Sequence, residues 1–169
     1  MSMFRKLHAD EIECRVAQIG EKGLSLLLYK DARCDMNILD ETVGEMNWKR
    51  EHVRDNKNCI VSIWDKEKKE WVGKEDTGTE SNTEAEKGLA SDSFKRACVN
   101  WGIGRELYTA PRIWIPVGKY SITTGKNGKP ACYDRFSVAK LTYKDNGDIK
   151  DIAIQNDTMK KVAFVYQSK

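Results

Sequence analysis

Short turns between strand-like segments are the feature that most restricts the fold of this chain. Residues 48–53, 59–64 and 70–79 are rich in the residue types of β-strands, and turns at 55–58 and 65–69 separate them. Turns of this length can join antiparallel strands, whereas parallel strands need a crossover of about a dozen residues or more. The three segments therefore predict an antiparallel meander.

A hairpin and a helix are predicted before the meander. Residues 12–19 and 22–29 read as two short strands that turn around Gly20 and Gly23. The helix follows from apolar residues that recur with the spacing of one helical face, at Ala32, Met36, Leu39 and Val43. Gly44 comes next and is a natural stop, because glycine closes helices readily.

A second helix is predicted after the meander. Its cap candidates are residues 81–84, with a capping box between Thr83 and Glu86. Its apolar face and its terminating glycines are Ala90, Phe94, Ala97, Cys98 and Trp101, then Gly102 and Gly104. Lys95 and Arg96 lie roughly 100° or more from the centre of that face. Both cations are therefore expected to point away from the sheet on which the helix packs.

Further strands are predicted after Pro111, at residues 113–115, 133–143, 149–155 and 162–166. Strands thus come in runs and do not alternate with helices, which indicates an α+β fold with antiparallel sheet. The expected architecture is a β-β-β-α core, preceded by the hairpin and first helix and followed by a β-rich segment. We expect residues 1–116 to form the core domain and residues 117–169 an extension packed on it.

The distribution of charge supports a change of character at that boundary. The chain has a net charge of +3, which is small for a protein that binds nucleic acid as a monomer. Residues 117–169 hold 10 Lys and Arg against 5 Asp, a net of +5, and the remainder holds 19 against 21, a net of −2. The average therefore hides an uneven field, which repetition around an oligomer would multiply.

Missing motifs argue against several classes of function. The chain has no P-loop, and Gly102-Ile103-Gly104 ends a helix where a dinucleotide fingerprint would have to open one. Two histidines leave little room for histidine-based catalysis or structural zinc. Five separated cysteines without a CxxC pair favour reduced thiols and a cytoplasmic location. No apolar run of about 18 residues and no signal-peptide core occur, so no membrane partner is expected.

One enzymatic alternative comes from Glu67-Lys68-Lys69, which has the E-x-K form of a metal-dependent nuclease. Asp55 or Asp65 could supply the upstream carboxylate for Mg²⁺. Such a site needs its Glu and Lys in a buried strand, whereas this triplet reads as an exposed turn. We therefore predict no catalytic residue, no metal site and no cofactor.

Cations gather in three places along the chain. The first group lies on the hairpin and on or beside the second helix, the second on the first meander strand, and the third at a hairpin tip. In that order they are Arg15, Lys87, Lys95, Arg96 and Arg105; Lys49, Arg50, Arg54 and Lys57; and Lys66, Lys68 and Lys69. A solvated face explains any one group, but spaced cations can also follow the phosphates of a nucleic acid.

The second helix carries a resemblance to a known family. Residues 84–108, with Asp92, then Lys95-Arg96-Ala97 and the ending Trp101-Gly102, resemble the signature helix of single-strand annealing proteins. This is the family of the eukaryotic recombination protein Rad fifty-two and its phage relatives of the Sak type. Residues 12–17 resemble its early arginine segment, and residues 75–79 resemble its Glu-Asp-x-Gly turn.

The resemblance implies a fold, an activity and partners. The family core is a β-β-β-α unit that assembles into rings or open helical filaments, with single-stranded DNA in a groove around the ring. Its members anneal complementary strands in recombination and repair without ATP. The implied partners are single-stranded DNA, its complementary strand and further copies of the chain, and a host single-strand-binding protein is a further candidate. A phage or prophage origin and a location in the cytoplasm of a bacterial host are implied with them.

Roles in an inner DNA groove carry over by position. Arg15 corresponds to the arginine that contacts phosphates at the floor of the groove, and the Lys95-Arg96 pair corresponds to the cations that line it. Lys87 corresponds to a lysine two turns earlier. Val99 stands where the eukaryotic relatives have another arginine, and Arg105 is the candidate to compensate for it.

An outer DNA site is implied at the tip of the second meander turn. Lys69 corresponds to a hairpin lysine of that site, to which its neighbours Lys66 and Lys68 are added, and Lys49, Arg50 and Arg54 are further candidate contacts. A plain single-strand coating protein is the alternative within the DNA-binding class. Trp48, Trp64, Trp71 and Tyr108 could stack on bases, although core packing is the expectation for Trp64 and Trp71.

Overall fold

The structure, a computed structural model, describes residues 2–79 and 85–169, with only the backbone for residues 85–87. The strands and helices are, in chain order, β1 (Glu13–Ile19), β2 (Gly23–Tyr29), α1 (Ala32–Val43), β3 (Trp48–Val53), β4 (Asn58–Asp65), β5 (Glu70–Thr77), α2 (Ala85–Asn100), β6 (Ile113–Pro116), β7 (Thr123–Thr124), β8 (Pro130–Ala131), β9 (Phe136–Tyr143), β10 (Ile149–Asn156) and β11 (Lys161–Gln167). The described residues thus form an α+β fold with two α-helices, and every strand pair found is antiparallel.

Most of the predicted elements are confirmed. The hairpin, the first helix with Gly44 as its stop, the three-stranded meander and the second helix all form where the sequence patterns indicate. The cap candidates at 81–84 and the capping box of Thr83 with Glu86 lie outside the described residues. None of the described helices has the length and apolar character needed to cross a membrane.

Backbone packing divides the chain into two compact units. The helix–sheet unit consists of Met1–Lys6 and Asp31–Arg105, and the barrel-like unit consists of Leu7–Lys30 and Glu106–Lys169. This grouping differs from the expected boundary between 1–116 and 117–169. The reason is strand pairing, because Glu13 of β1 pairs with Ser137 of β9 and so places the N-terminal hairpin in one sheet with the C-terminal strands.

The barrel-like unit is built from one six-stranded sheet in the order β11-β10-β9-β1-β2-β6. Its outermost strands, β6 and β11, contact each other, so the sheet curls into a nearly closed, barrel-like shape. Alternate residues point inward and fill the interior with aliphatic side chains, among them Leu24, Ile113, Ile115, Ile152 and Ile154, all of them buried. The other face of each strand is left for solvent.

The helix–sheet unit rests on the packing of α2 against one face of β3, β4 and β5. That face presents Cys59, Val61 and Ile63, and α2 covers it with Phe94, Ala97 and Cys98, all buried. The Phe94 ring stacks on Trp48 with centroids 6.0 Å apart. The Trp101 Nε1–H donates to the Val61 carbonyl oxygen at 2.8 Å, which fixes the end of the helix to the central strand.

The five cysteines are free thiols. Cys34, Cys59 and Cys98 are buried, and Cys14 and Cys132 are half-buried. Burial is the main cause that raises the pKa of Cys59 to about 11, and burial with the charges of Asp157 and Glu13 raises that of Cys14 to about 11. The two thiols with this shift are therefore weak nucleophiles near neutral pH.

The turn that leads from β5 toward α2 comes very close to the helix. A Cβ placed on Gly78 would lie 2.7 Å from the Ser93 backbone nitrogen. The Thr79 N–H then donates to Asp92 Oδ2 at 2.8 Å, and the Ser93 hydroxyl donates to the Asn56 carbonyl oxygen at 3.0 Å. These contacts explain why a glycine and a serine face each other at this point.

We predict that Gly78→Ala lowers the free energy of unfolding by about 1–3 kcal/mol, because the added methyl group meets backbone atoms that have no room to move. Urea unfolding followed by circular dichroism measures the change. Gly20→Ala is the matched control, since its Cβ would meet the nearest atom at an ordinary 3.7 Å. Equal stability of the two variants would show that the close approach is not a constraint.

His52 is the titratable group beneath α2. Its Nδ1 lies 3.5 Å from the Ser93 hydroxyl oxygen, and its Nε2 is buried without a hydrogen-bond partner among the described residues. Burial and the nearby charge of Arg50 hold the pKa of His52 below its usual 6.5, against the opposing effect of a hydrogen bond with the Asn58 backbone. The neutral ring is therefore the form that fits between helix and sheet.

We predict that this histidine makes the fold less stable in mild acid. The unfolded chain binds a proton at His52 near pH 6.5, whereas the folded chain binds it only at a lower pH. The free energy of unfolding should therefore fall as the pH drops below 6.5 and level off below the folded pKa. Urea midpoints measured from pH 7.5 to 5 should show a shallower decline in His52→Gln, and parallel curves would contradict the assignment.

Candidate nucleic-acid interface

Lys95 and Arg96 lie on the side of α2 that faces away from its buried residues, as the helical spacing predicts. Both are only half-buried, next to the buried Phe94 and Ala97. Arg96 Nε donates to Asp92 Oδ2 at 2.9 Å, one turn earlier on the same helix. This contact fixes the direction of the Arg96 guanidinium while 39% of its side chain stays exposed.

Asp92 is the acid at the centre of this cluster. Burial alone would favour its protonated form, but the Thr79 N–H, the hydrogen bond from Arg96 and the charges of Arg96 and Lys95 together hold the pKa of Asp92 below its usual value. The charge of Lys95 also contributes, after the stronger effects of Arg33, to a lowered pKa at Asp31. Two carboxylates therefore share the field of Lys95 and reduce its net positive potential.

Arg105 has a structural role at the end of α2. Its Nε donates to the Val99 carbonyl oxygen and its NH2 group to the Asn100 carbonyl oxygen, both at 2.8 Å. Gly102 and Gly104, with φ of 99° and 78°, turn the chain back so that Arg105 reaches these carbonyls. Closing the helix uses two of the guanidinium donors that would be needed to compensate for Val99.

The residues predicted to line one inner groove are divided between the two units. Lys95, Arg96 and Arg105 belong to the helix–sheet unit, and Arg15 belongs to the barrel-like unit. Arg15 is exposed on β1, with its guanidinium carbon 5.7 Å from the centre of the Tyr29 ring. Lys87 lies in α2, but its side chain is outside the described part of the structure.

The predicted outer site lies at the β4–β5 turn, where Lys66, Lys68 and Lys69 are all exposed. The Asp65 carboxylate shapes this turn by accepting the N–H groups of Glu67 and Lys68 at 3.0 and 3.1 Å. Beside the turn is a cleft of about 590 Å³ with an apolar side formed by residues such as Ile63, Val72 and Trp101. Lys66, Lys68 and Lys74 also line it, so three ammonium groups border an apolar floor.

Lys74 is the cation that the sequence analysis missed. Its Nζ lies 4.5 Å from the centre of the Trp101 ring and donates to the Asn100 carbonyl oxygen at 3.3 Å. The signal was present in the strand register, since Lys74 pairs with Val61 and therefore shares the face that α2 covers. Lys74 is not part of a run of cations in the sequence, so no basic cluster marks it.

The cations of β3 do not form one cluster. Lys49 and Arg50 point to opposite faces of the strand, with Lys49 Nζ 4.7 Å from the Trp71 ring centre and the Arg50 guanidinium carbon 4.6 Å from that of Phe94. Arg54 lies beyond β3, in the turn, with a φ of 55°. Of the three, Lys49 alone is on the face that the helix leaves uncovered.

Trp48 and Trp71 differ in burial. Trp48 packs inside the unit, stacked on Phe94 and donating its Nε1–H to Asp40 at 2.6 Å. Trp71 is 39% exposed, which departs from the expectation of core packing. It lies on the uncovered face of the meander, in edge contact with the half-buried Trp64 at a centroid distance of 5.5 Å. Tyr108 is exposed in the barrel-like unit.

The two candidate upstream carboxylates of the nuclease alternative lie in different places. Asp65 ends β4 beside Glu67 and accepts its backbone N–H at 3.0 Å, whereas Asp55 lies in the β3–β4 turn. Glu67 and Lys69 are exposed at the β4–β5 turn and not in the buried strand that such a site needs. Among the residues that the structure describes, the group of three possible metal ligands found within 4.8 Å consists of His8, Asp10 and Glu11. In that group His8 and Glu11 already pair with each other across a short 3-10 turn.

Comparison of the chain with protein-family models, with curated proteins and with solved structures gives no match. The described site nevertheless shows a consistent arrangement. Among the residues that the structure describes, guanidinium and ammonium groups lie over aromatic rings at five places, and three of these are in the helix–sheet unit. Such pairs can bind anions while their rings offer a flat apolar surface.

We predict that Arg105→Ala lowers the free energy of unfolding by roughly 1 kcal/mol, because two helix carbonyls lose their donors. Arg105→Lys keeps the charge but cannot bridge both carbonyls, so it should fall between the wild type and the alanine variant. Urea unfolding measures all three. An unchanged midpoint in Arg105→Ala would contradict the structural role of Arg105 and leave its guanidinium available to a ligand.

Proposed function

We propose that this chain binds single-stranded DNA and anneals complementary strands without ATP. The observation that carries the proposal is the outward pair Lys95 and Arg96 on α2, a helix packed rigidly on an antiparallel meander in the chain order β-β-β-α. Its resemblance in sequence to the signature helix of annealing proteins gives the pair its expected role. The specific annealing-protein core, the groove and the oligomer belong to this proposal.

The chemistry of annealing agrees with the groups on this surface. Base pairing supplies the free energy, so the protein needs neither a nucleophile nor a metal, only cations that neutralise phosphates and a rigid support that keeps the strand extended. Lys95 and Arg96 supply such cations on a helix fixed by Trp101 and Phe94. The turn lysines Lys66, Lys68 and Lys69 supply a second site.

Asp92 suits a protein that must release its strand. A phosphate that binds Arg96 competes with a carboxylate that is already hydrogen-bonded to it at 2.9 Å, so the Arg96 contact is weakened by an internal competitor. Many weak contacts hold a strand firmly when subunits repeat them, yet allow it to leave segment by segment when a complementary strand pairs. We therefore propose a homo-oligomer in the cytoplasm of a bacterial host, with a net charge of +3 contributed by each subunit.

We predict that Lys95→Ala combined with Arg96→Ala weakens single-strand binding without unfolding the chain. Each lost phosphate contact should lower the salt dependence of the binding constant by about 0.7 in the log–log slope. Fluorescence anisotropy of a labelled oligothymidylate, titrated with salt, measures this. Lys140→Ala with Lys150→Ala is the matched control, because both are exposed cations on β9 and β10 of the other unit. An unchanged slope in the α2 variant would remove the groove assignment.

A strand-pairing assay separates annealing from the two alternatives. Labelled complementary oligonucleotides are mixed with the protein, with and without Mg²⁺ and ATP. Faster pairing without either supports annealing. Binding that leaves the pairing rate unchanged indicates a coating protein, and Mg²⁺-dependent cleavage that is lost in Glu67→Gln indicates a nuclease.

A further inference from the structure

The barrel-like unit has an open sheet face that carries Arg15 together with residues outside the proposed groove. On β2 and β6, the residues Leu24, Leu26, Ile113 and Ile115 point into the interior and are buried. Leu27 and Trp114 point the other way and remain 46% and 36% exposed. An exposed leucine and an exposed indole on adjacent strands form an apolar patch in contact with solvent, and such patches often mark interaction sites.

The position of the Trp114 ring is set by a glycine on the neighbouring strand. A Cβ placed on Gly23 would lie 2.8 Å from Cε2 and from Cζ2 of the indole, which shows that the ring rests directly on the glycine backbone. The indole is thereby held with one side packed against the sheet, the Arg112 guanidinium lies near its ring, and 36% of the residue stays exposed. A ring held in this way loses little conformational freedom when a second flat group stacks on it.

Two arginines stand on either side of the exposed leucine. Arg15 pairs with Leu27 across β1 and β2, and Arg112 continues the register on the other side because Leu26 pairs with Ile113. Two strand spacings of about 4.8 Å place the arginine Cα atoms roughly 10 Å apart. The Arg112 guanidinium carbon lies 5.6 Å from the Trp114 ring centre, and that of Arg15 lies 5.7 Å from the Tyr29 ring centre.

These arginines differ from Arg96 in their electrostatic partners. Arg96 is paired with Asp92, whereas in the described part of the chain neither Arg15 nor Arg112 is within salt-bridge distance of a carboxylate. A guanidinium that lies over a ring is oriented in advance and keeps its hydrogen-bond donors available. Each guanidinium therefore keeps N–H groups that can donate to a phosphate.

We infer that Arg112 and Trp114, together with Arg15, form a binding surface for single-stranded DNA. The two guanidinium groups bind different phosphates along the strand. A base stacks on the exposed part of the Trp114 indole, next to Leu27. The combination favours a nucleic acid over a protein partner because two cations without a carboxylate partner lie on either side of Leu27, and an exposed indole lies beside one of them. The inference rests on the proposed function and adds β6, which lies beyond residues 12–17, 75–79 and 84–108 that carry the family resemblance.

Arg15, Arg112 and Trp114 are called the strip below. The test compares how single variants of the strip bind labelled oligothymidylate. Arg112→Ala should lower the salt slope by about 0.7, and Lys150→Ala, an exposed cation on β10, should leave it unchanged. Trp114→Ala should weaken binding about 5- to 150-fold, which corresponds to the loss of one base–aromatic stack. Trp114→Phe keeps an aromatic ring packed on Gly23 and should retain most of the affinity. This variant keeps the test valid if Trp114→Ala fails to fold.

Photo-crosslinking gives an independent readout on the wild-type protein. An oligonucleotide containing 5-bromodeoxyuridine is irradiated in complex with the chain, and the crosslinked peptide is identified by mass spectrometry. A crosslink to the peptide that contains Trp114 supports the inference. Crosslinks confined to other peptides, with wild-type binding by Arg112→Ala and both Trp114 variants, overturn it.

The outcomes separate this inference from the proposed function. If Lys95→Ala with Arg96→Ala weakens binding while the strip variants do not, the strip inference falls and the proposed function stands. If the wild-type chain binds no single-stranded DNA, both fall. A change in oligomer size in Trp114→Phe or Trp114→Ala, with binding per subunit unaltered, would identify the strip as a protein interface and overturn the inference as well.

Discussion

The close approach of Gly78 to Ser93 is the contact on which the helix–sheet unit depends. A Cβ on Gly78 would lie only 2.7 Å from the Ser93 backbone nitrogen, so the turn after β5 packs directly on α2 and constrains how the helix lies on the meander. Thr79 can then donate to Asp92, and Asp92 in turn holds Arg96. His52 is enclosed beneath the same serine. A backbone contact between two small residues therefore contributes, through Asp92, to the direction of a charged group one turn later on the same helix.

The cations of this protein are held in two physically different ways. Arg96 is held by a carboxylate and Arg105 by helix carbonyls, so an incoming phosphate must compete with a partner that is already bound. Arg15 and Arg112 are held by aromatic rings, which orient a guanidinium without occupying its donors. At equal exposure the second kind binds a phosphate at a lower free-energy cost, because no existing hydrogen bond to another group has to be broken.

Local patterns in the sequence were sufficient to predict the elements but not their grouping. Helical spacing and short turns placed α1, α2 and the meander correctly, since these depend on neighbours a few residues apart. The pairing of Glu13 with Ser137 joins segments more than a hundred residues apart, and no local periodicity reports it. Trp71 shows the same limit, because strand alternation tells which residues share a face but not which face a helix will cover.

Arg105 and Arg112 show why sequence position alone does not assign a cation to a ligand. Both are exposed arginines that follow α2, and both could be counted toward a basic surface. Two glycines with positive φ turn Arg105 back onto its own helix, where its donors bind carbonyl oxygens. Arg112 instead enters a strand whose next outward residue is Trp114, so its guanidinium lies beside an indole and keeps its donors. The turn before Arg105, not the charge itself, decides that its donors are used by helix carbonyls while those of Arg112 are not.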